Sequence, residues 1–141
     1  QGAQILRSHG ATACTDLTGF GLLGHLVEMT RPSGVDAELT MSTLPLLDGA
    51  VDCVQAGIVS SLQPANVRLR RALRNADDFA QDARLPLLFD PQTAGGLLAS
   101  MPERQAAACV QALQAAGYAH AAVIGRITAQ AEAIEPVVLK T

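Results

Sequence analysis

The sequence predicts an α/β domain with a mixed sheet, and its composition and two periodicities along the chain carry that prediction. The 141 residues are 49% hydrophobic but only 3% aromatic, so the core must consist of closely packed aliphatic side chains. Helices laid on a sheet suit such a core. Segments with helical spacing alternate with short strand-like runs, which gives about five or six strands and four helices. A chain of this length forms one domain.

Each element has its own sequence signal. Apolar residues at three- and four-residue spacing predict an amphipathic helix from Gly19 to Arg31, which Pro32 and the two residues after it should end. Pro102 near the first turn and Gly117 after the last turn frame a further helix. The predicted elements are, in order, a helix end at 2–8, a strand at 11–17, a helix at 19–31, a strand at 35–41, a helix at 44–57, a loop at 58–66, a helix at 66–83, a buried strand at 84–90, a loop at 91–96, a strand at 96–101, a helix at 102–117, and strands at 120–128 and 134–140.

Charge, hydropathy and cysteine usage exclude several classes of protein. The net charge of −3 argues against binding to nucleic acid. No apolar run approaches the length of a membrane span, which argues against a membrane protein. Cys14, Cys53 and Cys109 form no CxxC pair, fit a reducing cytoplasm and are interpreted as small apolar core residues without a catalytic role. Because the chain opens without Met, we expect it to be part of a longer protein.

The stretch TDLTGFGLLGH, Thr15 to His25, contains the pattern GxGxxG of dinucleotide-binding proteins, and Asp36 and Glu38 follow at a suitable distance. That fingerprint requires an apolar strand running into the first glycine. Here the preceding strand is polar, and Asp16 would repel a pyrophosphate. The context therefore argues against a dinucleotide site.

A phosphate and metal site fits the same stretch better. Gly19 and Gly21 let the backbone approach a ligand at the start of a helix, where N–H groups attract phosphate. Asp16 could then hold Mg²⁺ against that phosphate, because hard divalent cations prefer carboxylate oxygen. The alternative is that Asp16 and Thr18 only cap the helix while the glycines pack against a strand.

A second constellation lies in LLFDPQTAGGLLAS, Leu87 to Ser100. Pro91 fixes φ, and Gly95 and Gly96 permit turns that other residues disfavour. The loop could present Gln92, Thr93 and backbone amides to an anion. It could equally be a tight connection between two core strands.

Together, TDLTGFGLLGHLVEM and LFDPQTAGGLL resemble signature segments of the C-terminal half of selenophosphate synthetase, also called selenide, water dikinase. The family patterns are TDVTGFGLLGHL and DPQTSGGLL, from which this chain departs at Leu17 and Ala94. Between them, SSLQPANVRL occupies the place of a family loop that ends in Asn, here Asn66. The resemblance runs in order over nearly the whole chain.

This resemblance implies a three-layer α/β/α domain with a mixed sheet, partly ferredoxin-like, that spans residues 1–141, with 1–10 as the end of a linker helix. The intact, cytoplasmic, dimeric enzyme would make selenophosphate, AMP and phosphate from selenide, ATP and water with Mg²⁺. Its ATP-binding N-terminal domain and its reactive Cys or selenocysteine lie outside this chain, so the domain alone should be inactive and hold no catalytic residue. Asp16 would be the metal ligand. The residues near phosphate or substrate would be Thr18, Gly19, Gly21, Asn66, Gln92, Thr93, Gly95 and Gly96.

Two further readings stay open at this point. The chain could be the matching domain of a related ATP-dependent synthetase or kinase, or a non-catalytic binding or dimerisation module. His25 is interpreted as a partly buried residue satisfied by a backbone carbonyl rather than as a catalyst. The basic cluster from Arg68 to Arg74 is interpreted as a solvated face near acidic partners, and the alternative is an arginine that reaches an anionic substrate together with Asn66.

Overall fold

The computed structural model describes all of residues 1–141, and its element order confirms the predicted mixture of helices and strands. Five α-helices lie at Gly2–Ser8 (α1), Gly21–Ser33 (α2), Ala50–Gln55 (α3), Gln63–Asn66 (α4) and Glu103–Ala115 (α5). Five strands lie at Ala13–Asp16 (β1), Val35–Thr40 (β2), Leu97–Ser100 (β3), Gly125–Ala129 (β4) and Val137–Lys140 (β5). Short 3₁₀ helices cover Met41–Thr43, Val67–Ala72, Ala76–Phe79 and Leu85–Phe89. None of the helices is both long and apolar enough to span a membrane.

The strands are divided between two sheets. β1 and β3 form an antiparallel pair in which Asp16 lies opposite Leu97. In the other sheet β2 is central, antiparallel to β4 and parallel to β5, so this three-stranded sheet is mixed. The α+β class with a mixed sheet is therefore confirmed, while β1 and β3 stand apart from that sheet.

Helix α2 supplies much of the core, because Leu22, Leu23, Leu26 and Val27 are all buried on one of its faces. It runs through Pro32 to Ser33, two residues beyond the predicted end. Pro32 lies in the last turn and lacks the N–H that would bond to the carbonyl four residues earlier, so the helix loses one hydrogen bond just before it ends. The Ser33 hydroxyl donates to the carbonyl of Met29 at 2.7 Å, and Gly34 ends the helix at φ 60°.

The predicted strand over residues 84–90 is wrong. The segment is a 3₁₀ helix, Leu85–Phe89, in which Leu85, Leu88 and Phe89 are buried. Pro86 cannot donate to a sheet ladder, and the three-residue spacing of Leu85 and Leu88 matches one face of a 3₁₀ helix. A short apolar run does not by itself distinguish these two conformations.

Three predicted boundaries in the middle of the chain also fail. The helix expected at 44–57 is confined to α3, because Gly49 takes a left-handed conformation at φ 79° just before it. The loop expected at 58–66 contains α4. The helix expected at 66–83 is two 3₁₀ segments, which are separated where Leu73 is extended and bridges Val137 of β5. Tertiary pairing with β5 overrides the helical pattern there.

A buried ion pair joins this middle segment to the mixed sheet. The Asp36 carboxylate, on β2, accepts hydrogen bonds from the N–H of Ala131 and from the Arg74 guanidinium. Those two donors hold the pKa of Asp36 below its usual value. Arg74 also donates to the carbonyl of Glu135 at 2.7 Å. The pair therefore fixes the chain around β5 and leaves no free carboxylate at Asp36 for a ligand.

Candidate functional site

The predicted metal ligand, Asp16, is the last residue of β1. Alternate residues of β1 are exposed, and Asp16 is one of them, so its carboxylate faces solvent. It takes part in none of the ion pairs of the chain. An exposed carboxylate without a partner remains free to bind a cation from outside the domain.

The turn that follows β1 is held by backbone contacts before α2 begins. The N–H of Gly21 donates to the carbonyl of Thr18 at 3.1 Å. Gly21 has φ +68°, and a Cβ there would lie 2.9 Å from the carbonyl carbon of Phe89. The structure therefore requires glycine at 21 for both conformation and space, whereas Gly19 has nothing within 4 Å of an added Cβ.

The loop from Asp90 to Gly96 packs directly on this turn. The N–H of Gln92 donates to the carbonyl of Thr18 at 3.0 Å, and the N–H of Leu17 donates to the carbonyl of Gly96 at 2.8 Å. At Gly95 the two segments touch, because an added Cβ would lie 1.8 Å from the carbonyl oxygen of Leu17. The two sequence motifs thus form one continuous structure.

Asn66 joins a third segment to the same place. Its side chain is buried, and its amide Nδ2 donates to the carbonyl of Gly19 at 2.8 Å and to the carbonyl of Phe89 at 3.1 Å. These two contacts hold the end of α4 against the turn and against the last residue of the Leu85–Phe89 3₁₀ helix. Because Nδ2 is occupied by backbone carbonyls, the observed role of Asn66 is to brace both segments.

Several backbone amides of the two segments remain without partners. The N–H groups of Gly19, Phe20, Thr93 and Ala94 make no hydrogen bond within the chain, and all four residues are exposed. Successive free amides in a turn form a concave site for anions. Phe20 was not among the predicted site residues, although its place between Gly19 and the start of α2 was a usable signal.

His25 was predicted to be satisfied by a backbone carbonyl, and that prediction is wrong about the partner. The ring is buried, and its Nε2 accepts from the N–H of Thr18 at 3.1 Å. Its Nδ1 lies 3.0 Å from the Glu28 carboxylate. Glu28 was missed by sequence reasoning, although its position three residues beyond His25 on a helix was a usable signal.

Asp90, the first residue of the loop, carries a further carboxyl group, and its side chain is half-buried. Burial raises the pKa of Asp90 above its ordinary value. The carbonyl of the same residue would lie 3.0 Å from a Cβ added at Gly21. The charged form of Asp90 is therefore disfavoured where the two motifs meet.

Replacement of Asp90 by Asn should raise the stability of the chain at neutral pH. A raised folded-state pKa means that stability from this group is present below the unfolded pKa and is lost as pH rises through the folded pKa. The Asp90→Asn variant has no ionisable group at this position, so its melting temperature at pH 7 should be slightly higher than that of the unmodified chain. The difference between the two melting temperatures should narrow toward about pH 4. Thermal unfolding at both pH values measures this, with the exposed Asp48→Asn as the control. A lower melting temperature for Asp90→Asn at pH 7 would contradict the assignment.

The remaining candidates fall outside the site. Arg70 pairs with Asp77 at 2.6 Å, as expected for a surface cluster near acidic partners, but that interpretation is wrong for Arg74, which pairs with the buried Asp36. Cys109 is buried as predicted, but Cys14 and Cys53 are exposed, so their assignment to the core is wrong. Although Cys14 is exposed, partial desolvation of its thiol and the charge of Asp16 raise the pKa of that thiol, which disfavours the nucleophilic thiolate.

The structure also argues against the dinucleotide fingerprint. β1 pairs only with β3, antiparallel, and β2 lies in the other sheet, so no parallel βαβ unit surrounds Gly19. Glu38, the second acidic residue at a suitable distance, pairs with Arg126 at 2.6 Å. The carboxylates of Asp36 and Glu38 are both held by arginines, so neither is free to hold a ribose.

Residues 1–136 match a family model described as AIR synthase related protein, C-terminal domain. The chain is 35% identical over 132 residues to the selenide, water dikinase of Caldanaerobacter subterraneus subsp. tengcongensis, covering 94% of this chain and 38% of that protein. It is 38% identical over 130 residues to the selenide, water dikinase of Trichlorobacter lovleyi, covering 92% of this chain and 37% of that protein. The chain thus spans less than two fifths of the length of these curated relatives.

Among solved structures, the chain resembles the hydrogenase maturation protein HypE, with a TM-score of 0.61 and 21% identity. The match covers 96% of this chain and 36% of that protein. A structure of HypE in complex with ATP matches with a TM-score of 0.56 and 22% identity, over 93% of this chain and 32% of that one. At this identity the likeness establishes a shared fold.

Proposed function

The chain belongs to the family of AIR synthase related C-terminal domains, and we propose that it is the C-terminal domain of a selenide, water dikinase. In that protein it closes over the ATP site and lends one carboxylate to Mg²⁺. The ATP-binding N-terminal domain, selenide and a second copy of the protein are its proposed partners, and the cytoplasm is its proposed location.

The observation that carries the proposal is the junction of the two motifs. The turn after β1 and the 90–96 loop share two backbone hydrogen bonds and the close contact of Gly95 with Leu17. Asp16 and the free amides of Gly19 and Phe20 follow one another in the sequence beside this junction. A carboxylate a few residues before unpaired N–H groups suits a cation and the phosphate oxygens it accompanies.

The residues present fit Mg²⁺ as one part of a shared site. No group of three or more His, Cys, Asp and Glu side chains lies close enough to hold a metal within this chain. Mg²⁺ in enzymes commonly takes one or two carboxylates, with waters and substrate phosphates completing its coordination. Asp16 would hold it here, and the bound cation would neutralise phosphate charge.

The other residues of the site prepare the binding surface. The amides of Gly19, Phe20, Thr93 and Ala94 would donate to anionic oxygens without a side chain that has to be ordered first. Asn66 and Gln92 hold the turn and the loop in register, through the contacts described above. Preorganisation of this kind lowers the entropic cost of orienting a ligand.

The assay is selenide-dependent ATP cleavage by the complete protein that contains this chain. With Mg²⁺, ATP and selenide under anaerobic conditions, ³¹P NMR should show selenophosphate and phosphate, and chromatography should show AMP. Omitting either selenide or Mg²⁺ should abolish selenophosphate formation. The protein without this domain, expressed in parallel, should form none.

The same assay separates the alternatives. Cleavage of ATP to ADP that ignores selenide would indicate a related synthetase or kinase, a reading that the shared fold with HypE supports. Binding without any cleavage would indicate a non-catalytic module. Either result would overturn the proposed selenide chemistry.

A further inference from the structure

We propose that His25 is a positioning residue, whose Nε2 holds the backbone N–H of Thr18 and thereby fixes the turn that presents the amides of Gly19 and Phe20. The effect of this positioning role on catalysis rests on the proposed function. The hydrogen bond and the ring tautomer are independent of the proposed function, and they can be measured separately.

The geometry specifies the state of the ring. His25 is 5% exposed, and Nε2 lies 3.1 Å from the backbone nitrogen of Thr18 and 3.2 Å from its hydroxyl. A backbone N–H can only donate, so Nε2 must be the unprotonated nitrogen. The imidazole is therefore an acceptor at this position.

Glu28 specifies the same tautomer from the other side of the ring. Its carboxylate lies 3.0 Å from Nδ1, three residues further along α2. Because an ionised carboxylate only accepts, the ring proton belongs on Nδ1. The Phe20 ring stands 5.6 Å from the imidazole, centroid to centroid, and covers it from the turn side.

Thr18 is the residue through which this arrangement acts. Its carbonyl accepts from the N–H of Gly21 and from the N–H of Gln92. With its N–H held by His25, both polar backbone groups of Thr18 are fixed. The orientation of the next two amides, Gly19 and Phe20, then depends on an acceptor buried in α2 rather than on the mobility of a glycine turn.

The first experiment measures the hydrogen bond in the chain labelled with ¹⁵N. The ring ¹⁵N shifts of His25 should show a protonated Nδ1 and an unprotonated Nε2, and a coupling across the hydrogen bond should join Nε2 to the Thr18 amide nitrogen. The His25→Gln spectrum assigns the signal among the three histidines. Glu28→Ala should move part of the ring proton to Nε2 and weaken the coupling. A proton on Nε2 in the unmodified chain would overturn the proposal.

The second experiment compares two variants in the complete protein. His25→Leu removes the acceptor and should raise KM for Mg·ATP or lower kcat/KM by about three- to tenfold. His25→Gln keeps an oxygen acceptor at a similar reach and should recover most of that loss, whereas a purely space-filling role would favour Leu. Equal activity of His25→Leu and the unmodified enzyme would overturn the positioning role. Absence of selenide-dependent activity in the unmodified protein would instead refute only the proposed function.

Discussion

Asp16→Asn in the complete protein is expected to lower kcat for ATP cleavage by about 10²–10³-fold while the domain stays folded. The amide keeps the size of the side chain and removes its negative charge. Asp16 is exposed and forms no ion pair, so no folded-state contact depends on that charge. The loss of activity should therefore arise from weaker Mg²⁺ binding and from phosphate charge that is no longer neutralised.

The measurement pairs steady-state kinetics over a range of Mg²⁺ concentrations with thermal unfolding. Asp48→Asn is the matched control, because it removes the same charge from an exposed residue away from the site. Both variants should melt near the unmodified protein, and only Asp16→Asn should lose activity and require more Mg²⁺. An Asp16→Asn enzyme with full activity would remove this residue from metal binding.

The sequence was informative where local chemistry decides the structure. The polar strand β1, the helix that starts after Gly19, and the Pro102 and Gly117 boundaries of α5 could all be predicted from neighbouring residues. The close association of the two motifs was expected only through the family resemblance. No local pattern reveals that a loop near residue 95 packs on a turn near residue 17.

Several of the failures arise from long-range contacts, and Gly49 and Pro86 add local causes. Leu73 is extended because it pairs with β5, more than sixty residues later in the chain, and this overrides the helical pattern around it. Leu85–Phe89 is a 3₁₀ helix because Pro86 cannot join a ladder and because Gln63 donates to its carbonyl at 2.8 Å. The partner of His25 was misjudged because the acceptor role of its ring depends on a turn that folds back over α2.

The four glycines of the predicted site differ in the space around them, which the sequence alone does not reveal. Gly19, Gly21, Gly95 and Gly96 were all predicted to lie near phosphate. An added Cβ would find nothing within 4 Å at Gly19 or Gly96, but it would meet backbone at Gly21 and Gly95. Packing therefore demands glycine at Gly21 and Gly95, whereas Gly19 and Gly96 have room for a larger residue.

Gly95→Ala should be among the most destabilising single-methyl changes in this chain. The new carbon would lie 1.8 Å from the carbonyl oxygen of Leu17 and 2.9 Å from the Gln92 side-chain oxygen. Backbone cannot yield as a flexible side chain does, so the loop must move away and lose the bond from Leu17 N–H to Gly96. We expect a loss of about 2–3 kcal/mol in the free energy of unfolding and a fall of roughly 10 °C in melting temperature.

Gly96→Ala is the matched control, since it adds the same methyl group one residue later in open space. Denaturant unfolding of both variants should show Gly96→Ala within about 0.5 kcal/mol of the unmodified chain. In the complete protein, Gly95→Ala should also lower the affinity for Mg·ATP, because displacing the 90–96 loop moves its free amides away from the turn after β1. Equal stability of the two variants would mean that the loop does not approach Leu17. The conclusion that the two motifs form a single site would then be wrong.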